Sequence, residues 1–221
     1  MNYLSKKQKI KDAIKRLFYC NLKSNMIILI IFLNRDNYGS FEMNLLTVET
    51  LKNKAISIKE FGIGFIQIKL DNIQYINFYT DKVPLFTNSN APHNHQEDFI
   101  SRILSGAIVE TIYDVIEEEN GQSAFCGCGN TDSIITEKYS YIVKSINVHS
   151  QDEIYYRAKE DFHSVVAAEN TITLVTKVNP DNNHDAIIIA NKSEYNTKHT
   201  KEELWSIVEQ MLNDEKLYGI F

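Results

Sequence analysis

The pattern of apolar and polar positions divides the chain into a helical start, a long series of strands and a helical end. Residues 6–19 carry apolar side chains at helical spacing with lysines between them, which predicts an amphipathic helix. From Phe61 onward, aromatic and β-branched residues become dense. Strands are predicted near residues 65–70, 73–79, 99–104, 107–116, 139–148, 153–158, 162–167, 171–178 and 185–190.

The last segment has a helical pattern. Thr200 and Glu203 have the spacing of a capping box, and the apolar stripe that follows predicts a helix of about three turns packed on the outside of the strands. Two stretches interrupt the strands, an acidic turn at residues 117–121 and a loop at residues 126–132. Many antiparallel strands without helices between them predict an all-β dominated fold, a sandwich or a barrel, with flanking N- and C-terminal helices.

The strongest apolar run, residues 26–33, is only eight residues long, whereas a membrane-spanning helix needs about 20. A stable membrane insertion is therefore not expected. No small-x-small cleavage site follows the run, so a buried strand or helix end is favoured over a secretory signal. A third interpretation is that the biological start is Met43.

Charge is distributed unevenly along the chain. The net charge of −6 conceals a +5 segment, since residues 1–42 hold eight basic and three acidic residues, and the other 179 residues therefore sum to −11. An acidic body repels a phosphate backbone, which excludes a nucleic-acid partner for it. With 3 Pro and 8 Gly there is no linker that would divide the chain. We expect a basic extension (1–42), one barrel (43–199) and a C-terminal helix (200–221).

Cysteine usage favours a reducing compartment. The three cysteines are an odd set, and Cys126 and Cys128 are too close in the chain for an ordinary structural disulfide. A closed zinc site needs four ligands, and a second cysteine pair is missing. We therefore expect a cytoplasmic protein with a glycine-containing loop at these cysteines.

Candidate chemistry centres on His93 and His95. In an extended strand, residues i and i+2 point to the same side, so the two imidazoles would share one space, although a surface His-x-His can also arise by chance. Imidazole is the commonest ligand of transition metals. Glu97 would join them if the strand continued, but it would be solvated if residues 96–98 form a turn, which is the favoured interpretation.

His93, His95 and Gly106 together resemble the first motif of the cupin superfamily, whose fold is a double-stranded β-helix barrel. Two features depart from the motif: Thr87 replaces its leading glycine, and Phe99 occupies the position of its acidic ligand. His163, in a strand-rich region, resembles the histidine of the second cupin motif, although the usual Pro-x-Gly is absent. The resemblance covers about residues 62–190 and implies a metal site of His93, His95 and His163.

A cupin with three histidines resembles the thiol dioxygenases related to cysteine dioxygenase, which carry a segment like residues 104–113. This resemblance implies a non-haem Fe(II) dioxygenase acting on a small anionic substrate such as a thiol, with Zn, Ni, Mn or Cu as other metals to consider. Three neutral ligands leave positions for substrate and dioxygen, and charge balance favours Fe(II) with an anion. Candidate helpers around the site are Arg102, Arg157, Tyr155 and Tyr156.

Two other functions stay open. The same site could use its metal as a Lewis acid in an isomerase or lyase of a sugar or keto acid, or the barrel could bind a small ligand without catalysis. The small-molecule substrate is the expected partner, and a homodimer through a barrel edge is a further alternative. The remaining histidines, His149, His184 and His199, are expected to be exposed rather than ligands.

Overall fold

A computed structural model describes residues 47–61, 64–85, 90–126, 134–178, 185–191 and 198–214 of the 221-residue chain. The predicted helix at residues 6–19, the apolar run at 26–33 and His184 lie outside these ranges. The division of the chain at residues 42 and 199 stays a prediction.

The described residues form ten strands and two helices. In chain order the elements are α1 (Val48–Lys54), β1 (Ser57–Phe61), β2 (Phe65–Lys69), β3 (Gln74–Tyr79), β4 (Asp98–Ser105), β5 (Ala107–Cys126), β6 (Ile134–Ser150), β7 (Ile154–Arg157), β8 (Phe162–Ala167), β9 (Ile172–Val178), β10 (Ile187–Ile188) and α2 (Lys201–Asp214).

The strands form two antiparallel sheets. The first has the order β1-β2-β3-β9-β4-β7, and the second has the order β10-β5-β6, with β8 also paired to β5. This all-β dominated architecture of two antiparallel sheets with a C-terminal helix confirms the predicted fold class. The long strands β5 and β6 pair with each other from Ala107 and Ser150 onward, so a single ribbon forms much of the second sheet.

The main apolar core lies on the helix side of the first sheet. Ile68 pairs with Ile58 on one side and with Ile76 on the other, and all three side chains are buried in one cluster. Helix α2 covers this face with Leu204 and Val208, because its apolar residues recur at helical spacing. The alternate residues of the same strands point away from the helices, toward the second sheet.

The interior between the sheets is more polar than this core. Asn77, Ser101 and Thr173 alternate with the helix-facing residues of β3, β4 and β9, and all three are buried. Phe99, also on β4, contacts the ring of His163 on β8 with 6.0 Å between ring centroids. The chemistry-bearing residues therefore lie between the sheets, while the apolar core lies beneath the helices.

The structure shows why residue 106 is a glycine. Its φ of +77° is a conformation that side chains disfavour, and a Cβ atom there would lie 2.9 Å from the Cα atom of Thr171. Thr171 anchors the same corner, since its hydroxyl group donates to the carbonyl of Ala107 at 3.0 Å. The glycine lets the chain turn from β4 into β5 against this neighbour.

Several sequence predictions differ from the structure. Residues 117–121 do not end a strand: β5 continues to Cys126, and its register with β6 shifts between Glu117 and Gln122. The pattern predicted neither α1 nor β1, and the strand expected at 185–190 is reduced to Ile187–Ile188. The capping box is confirmed, because the Thr200 hydroxyl accepts from the Glu203 N–H at 3.3 Å and the Thr200 N–H donates to the Glu203 carboxylate.

Cys126, at the end of β5, is disulfide-bonded. The sequence did not predict this bond, since the short spacing of Cys126 and Cys128 argued against an ordinary structural disulfide, and the cytoplasmic location stays a prediction. Cys20 and Cys128 lie outside the described residues. Neither α1 nor α2, the helices of the described ranges, has the length and apolar character needed to cross a membrane.

Candidate metal centre

The segment that carries His93 and His95 is held between two strands. His93 exchanges both backbone hydrogen bonds with His163 on β8, at 2.9 and 2.8 Å, and on its other side it is bridged to Ile188 of β10. Asn94 is buried, and its side-chain oxygen accepts from the N–H of Ile187 at 2.6 Å. These contacts fix an extended segment, so that His93 and His95 point to the same side.

The structure brings together the three histidines that the motifs indicate. The ring centroid of His163 lies 4.8 Å from that of His93 and 5.0 Å from that of His95, and the His93 and His95 centroids are 5.1 Å apart. One ring nitrogen from each residue can be chosen so that all three lie within 4.8 Å of one another. The expected pairing of His163 with the His-x-His segment therefore occurs in space.

Two of the three imidazoles have a defined proton position. Nδ1 of His93 lies 3.1 Å from the carbonyl oxygen of Ala91, and Nδ1 of His163 lies 2.7 Å from a carboxylate oxygen of Glu110. Carbonyl and ionised carboxylate oxygens only accept hydrogen bonds, so each Nδ1 carries the proton. Nε2 of both rings then keeps its lone pair, which is the form that binds a metal.

All three imidazoles are held neutral. Burial, together with the charge of His163, lowers the pKa of His93 to about 4. Burial also lowers the pKa of His95 well below its usual range, as do the charges of His163 and His93. The pKa of His163 is lowered by burial as well, although its hydrogen bond to Glu110 opposes this shift. At neutral pH the three rings are therefore uncharged, which is the state of an imidazole that binds a metal.

The donor set fits a transition-metal ion. Neutral imidazoles are ligands for iron, zinc, copper and nickel, and a metal with bonds of about 2.1 Å holds two nitrogen ligands about 3 to 4 Å apart. The Nε2 atoms of His95 and His163 lie 2.7 Å apart. This distance is slightly shorter than the separation of two nitrogens bound to one metal.

Glu110 is the site residue that sequence reasoning did not single out. It lies on β5, where β8 and β6 flank it, and its side chain is completely buried. Burial raises the pKa of Glu110, but hydrogen bonds with His149 and His163 and the charge of Arg157 outweigh this effect and hold the pKa below its usual range. The signals in the sequence were its place in residues 104–113, the segment that resembles the thiol dioxygenases, and a charged residue alternating with Ile108 and Ile112.

His149 is not the exposed turn residue that was expected. It lies on β6, its side chain is only 15% exposed, and its Nε2 lies 3.1 Å from Glu110. The prediction failed because β6 extends to Ser150, which turns His149 inward opposite Ile108. His199 is also paired, since its Nδ1 contacts the buried Glu60 next to helix α2.

The predicted helper residues separate into buried and surface positions. Arg157 is buried and donates to Glu110, through Nε at 2.9 Å and also through Nη2, and its Nη1 donates to Asp161 at 3.1 Å. Arg102 lies on the helix-side face of β4, where it pairs with the exposed Asp152. Both guanidinium groups thus have carboxylate partners, and their expected role as helpers toward a substrate stays a prediction.

The remaining candidates lie at different positions, and Tyr156, which pairs with Ile100, is on the opposite face of the sheet from Tyr155, which pairs with Ser101. Tyr155 stacks on His149 with centroids 4.1 Å apart, and burial raises its pKa well above the usual range. The Tyr156 hydroxyl donates to Asp98 at 2.6 Å. Glu97 is buried but accepts from Lys177 Nζ at 2.8 Å and does not belong to the histidine group. Of the candidates beyond the three histidines, Tyr155 is the one whose ring reaches Phe99.

Comparisons with known proteins give distant structural likenesses alone. No protein-family model and no curated protein matches the chain. Solved structures similar to it include KdgF from Halomonas sp., with 10% identity, a TM-score of 0.31 and coverage of 61% of this chain and 89% of that one. Oxalate decarboxylase from Bacillus subtilis matches with 12% identity, a TM-score of 0.34 and coverage of 86% and 44%.

A third likeness is to a hydroquinone 1,2-dioxygenase solved with Cd2+ and 4-hydroxybenzonitrile, with 7% identity, a TM-score of 0.33 and coverage of 73% of this chain and 93% of that one. The chain spans less than half the length of the oxalate decarboxylases that it matches. Likenesses this distant assign no activity. The chain is therefore characterised by its own residues, as an antiparallel β-protein with three convergent histidines between its sheets.

Proposed function

We propose that the protein is a metal-dependent enzyme, a non-haem Fe(II) dioxygenase that acts on a small anionic substrate. The observation that carries this proposal is the convergence of three neutral imidazoles, from His93, His95 and His163, without a carboxylate among them. Neutral ligands leave the full charge of a divalent cation uncompensated, which favours an anion as the next ligand. Bound Fe(II) would supply the capacity to react with dioxygen.

The side chains around the triad have distinct roles in this proposal. Phe99 packs edge-on against His95, with centroids 4.7 Å apart, and gives the site an apolar wall. It stands where the cupin motif places an acidic ligand, and so it keeps the ligand set neutral. Because Arg157 and Arg102 are paired with carboxylates, the charge of the metal is the main attraction for an anionic substrate.

A Lewis-acid isomerase or lyase is less well supported. Such chemistry needs a side chain that moves a proton on the substrate. In the described part of the chain, the carboxylate that contacts the triad is Glu110, and both of its oxygens already accept hydrogen bonds. A dioxygenase does not need such a side chain, since the residues around its metal need only position the substrate and keep water out of the site.

Metal analysis followed by oxygen uptake tests the proposal. Purified protein, reconstituted with Fe(II) without oxygen and then desalted, should retain about one iron per chain and consume dioxygen with one member of a panel of small thiols and other small anions. A His163→Ala variant should lose both properties. Iron retention without oxygen uptake on any member of the panel would reject the dioxygenase, and failure to retain iron would reject the metal site.

A further inference from the structure

The carboxylate of Glu110 is enclosed by hydrogen-bond donors from three different strands. Its Oε1 accepts from Nδ1 of His163 at 2.7 Å and from Nε of Arg157 at 2.9 Å. Its Oε2 accepts from Nη2 of Arg157 and lies 3.1 Å from Nε2 of His149. A carboxylate has about four lone-pair positions, so its capacity to accept hydrogen bonds is filled.

Because of these contacts, the Glu110 carboxylate has no acceptor position left for another hydrogen-bond donor. Its side chain has no exposed surface, and the guanidinium of Arg157, itself 3% exposed, forms a bidentate ion pair with it. His149 is in turn held by its stacking on Tyr155, with an interplanar angle of 14°. The position of the carboxylate is therefore determined by Arg157 and His149 as well as by His163.

The fixed carboxylate of Glu110 determines the tautomer of His163. An ionised carboxylate can only accept, so it keeps the His163 proton on Nδ1 and leaves the lone pair on Nε2. That Nε2 atom points at Nε2 of His95. Without the carboxylate, the His163 ring could carry its proton on either nitrogen and could rotate.

We propose that Glu110 is the positioning residue of this site, acting through His163, and that Arg157 and His149 hold it in place. The inference rests on the proposed metal site and adds the residues that orient its ligand His163. Partners of this kind orient a ligating histidine and raise its basicity, and their loss costs about 10- to 100-fold in metal affinity. Arg157 thus acts on the scaffold of the site, whereas the sequence suggested a contact with substrate.

The chain offers a matched control. Glu60 is another buried glutamate that accepts from Nδ1 of a histidine, His199, but it lies on β1 beside helix α2. Glu110→Gln and Glu60→Gln make the same chemical change in the same kind of pair. Only the first is expected to change the metal site.

Two measurements on the full chain test the inference. Anaerobic titration with Co(II), followed by its visible absorption bands, should show a 10- to 100-fold weaker affinity for Glu110→Gln and an affinity within about twofold of wild type for Glu60→Gln. Nitrogen-detected NMR of the metal-free wild type should show His163 protonated on Nδ1, and the folded Glu110→Gln variant should show a mixture of tautomers.

The outcomes separate the two proposals. Wild type that binds Co(II), with Glu110→Gln binding it equally tightly, would overturn the positioning role and leave the proposed function standing. Wild type that binds neither Co(II) nor Fe(II) would overturn the proposed function and the positioning role with it. If Glu110→Gln does not fold, the wild-type spectrum decides, since a His163 proton found on Nε2 contradicts the positioning role directly.

Discussion

The Nε2 atoms of His95 and His163 lie 2.7 Å apart, although 68 positions separate the two residues in the chain. Two nitrogen lone pairs repel each other at this distance, so the pair needs a proton or a cation between the two atoms. Because His163 carries its proton on Nδ1, where it donates to Glu110, a proton in this position would belong to His95. The same space can accept a cation in place of that proton.

Removing a histidine of the triad should abolish metal binding, whereas removing a histidine elsewhere should not. We expect His163→Ala to weaken Co(II) binding by more than the roughly 100-fold that loss of an outer partner costs. His199→Ala is the control, because His199 pairs with Glu60 outside the triad. Equilibrium dialysis with elemental analysis measures both variants. Equal metal content in the two would refute the assignment of the ligands.

The two arginines that the sequence offered as helpers should differ in their effect on stability. Arg157→Ala leaves the carboxylate of Glu110 buried without its counter-charge, which costs about 3 to 5 kcal/mol in the free energy of unfolding. Arg102→Ala removes a pair whose Asp152 partner is 70% exposed, and we expect a loss below about 1 kcal/mol. Urea unfolding of both variants measures the difference, and similar losses would contradict the distinction between the two pairs.

A side chain at Gly106 should destabilise the corner between β4 and β5. Gly106→Ala combines an unfavourable φ of +77° with a Cβ contact of 2.9 Å to the Thr171 backbone, and we expect a loss of about 1 to 3 kcal/mol. Asn170→Gly is the opposite change, since Asn170 has a φ of +60° that glycine adopts without strain. Thermal unfolding should therefore show a lower melting temperature for Gly106→Ala alone.

Tyr79 should make the fold sensitive to alkaline pH. Burial raises the pKa of Tyr79 from 10.0 to about 12, against an opposing hydrogen bond with Asn77. The unfolded chain loses this proton near pH 10 while the folded protein keeps it, so the stability from Tyr79 is complete below pH 10 and is lost as pH rises toward 12.

The loss amounts to about 2 to 3 kcal/mol at one pKa unit per 1.36 kcal/mol. Tyr79→Phe cannot ionise, so the difference in unfolding free energy between the variant and wild type should change over this pH range. Urea unfolding at pH 8, 10 and 11 follows that difference. A difference that is constant over these pH values would contradict the buried position of the hydroxyl group.

Local patterns predicted the strand and helix content well. Strand β8 occupies the predicted residues 162–167, and α2 begins after its predicted Thr200 cap. Such elements depend on alternation or helical spacing between near neighbours, which a sequence displays directly. The acidic stretch at residues 117–121 was misread as a turn, because β6 lies beside it and a shift in register absorbs the irregular residues within β5.

The candidate ligands could be predicted, but the residues that support them could not. His93 and His95 are visible as a spaced pair, and His163 follows from the resemblance to the second cupin motif. Glu110, Arg157 and His149 belong to three strands, and their meeting depends on how β5, β6 and β7 are placed in the two sheets. The register of a strand depends on its pairing with a neighbour and cannot be deduced from that strand alone. A slip of one residue would turn each of these side chains outward.

The sequence by itself therefore determined the strand-rich class, the capped C-terminal helix and the three imidazoles, because each depends on spacing along the chain. Only the tertiary structure decided that the apolar core lies beneath the helices, and that a buried carboxylate between β6 and β8 sets the tautomer of His163. The physical reason is that burial and pairing are properties of residues distant in sequence. A charged residue such as Glu110 becomes informative once its neighbours across the sheet are known.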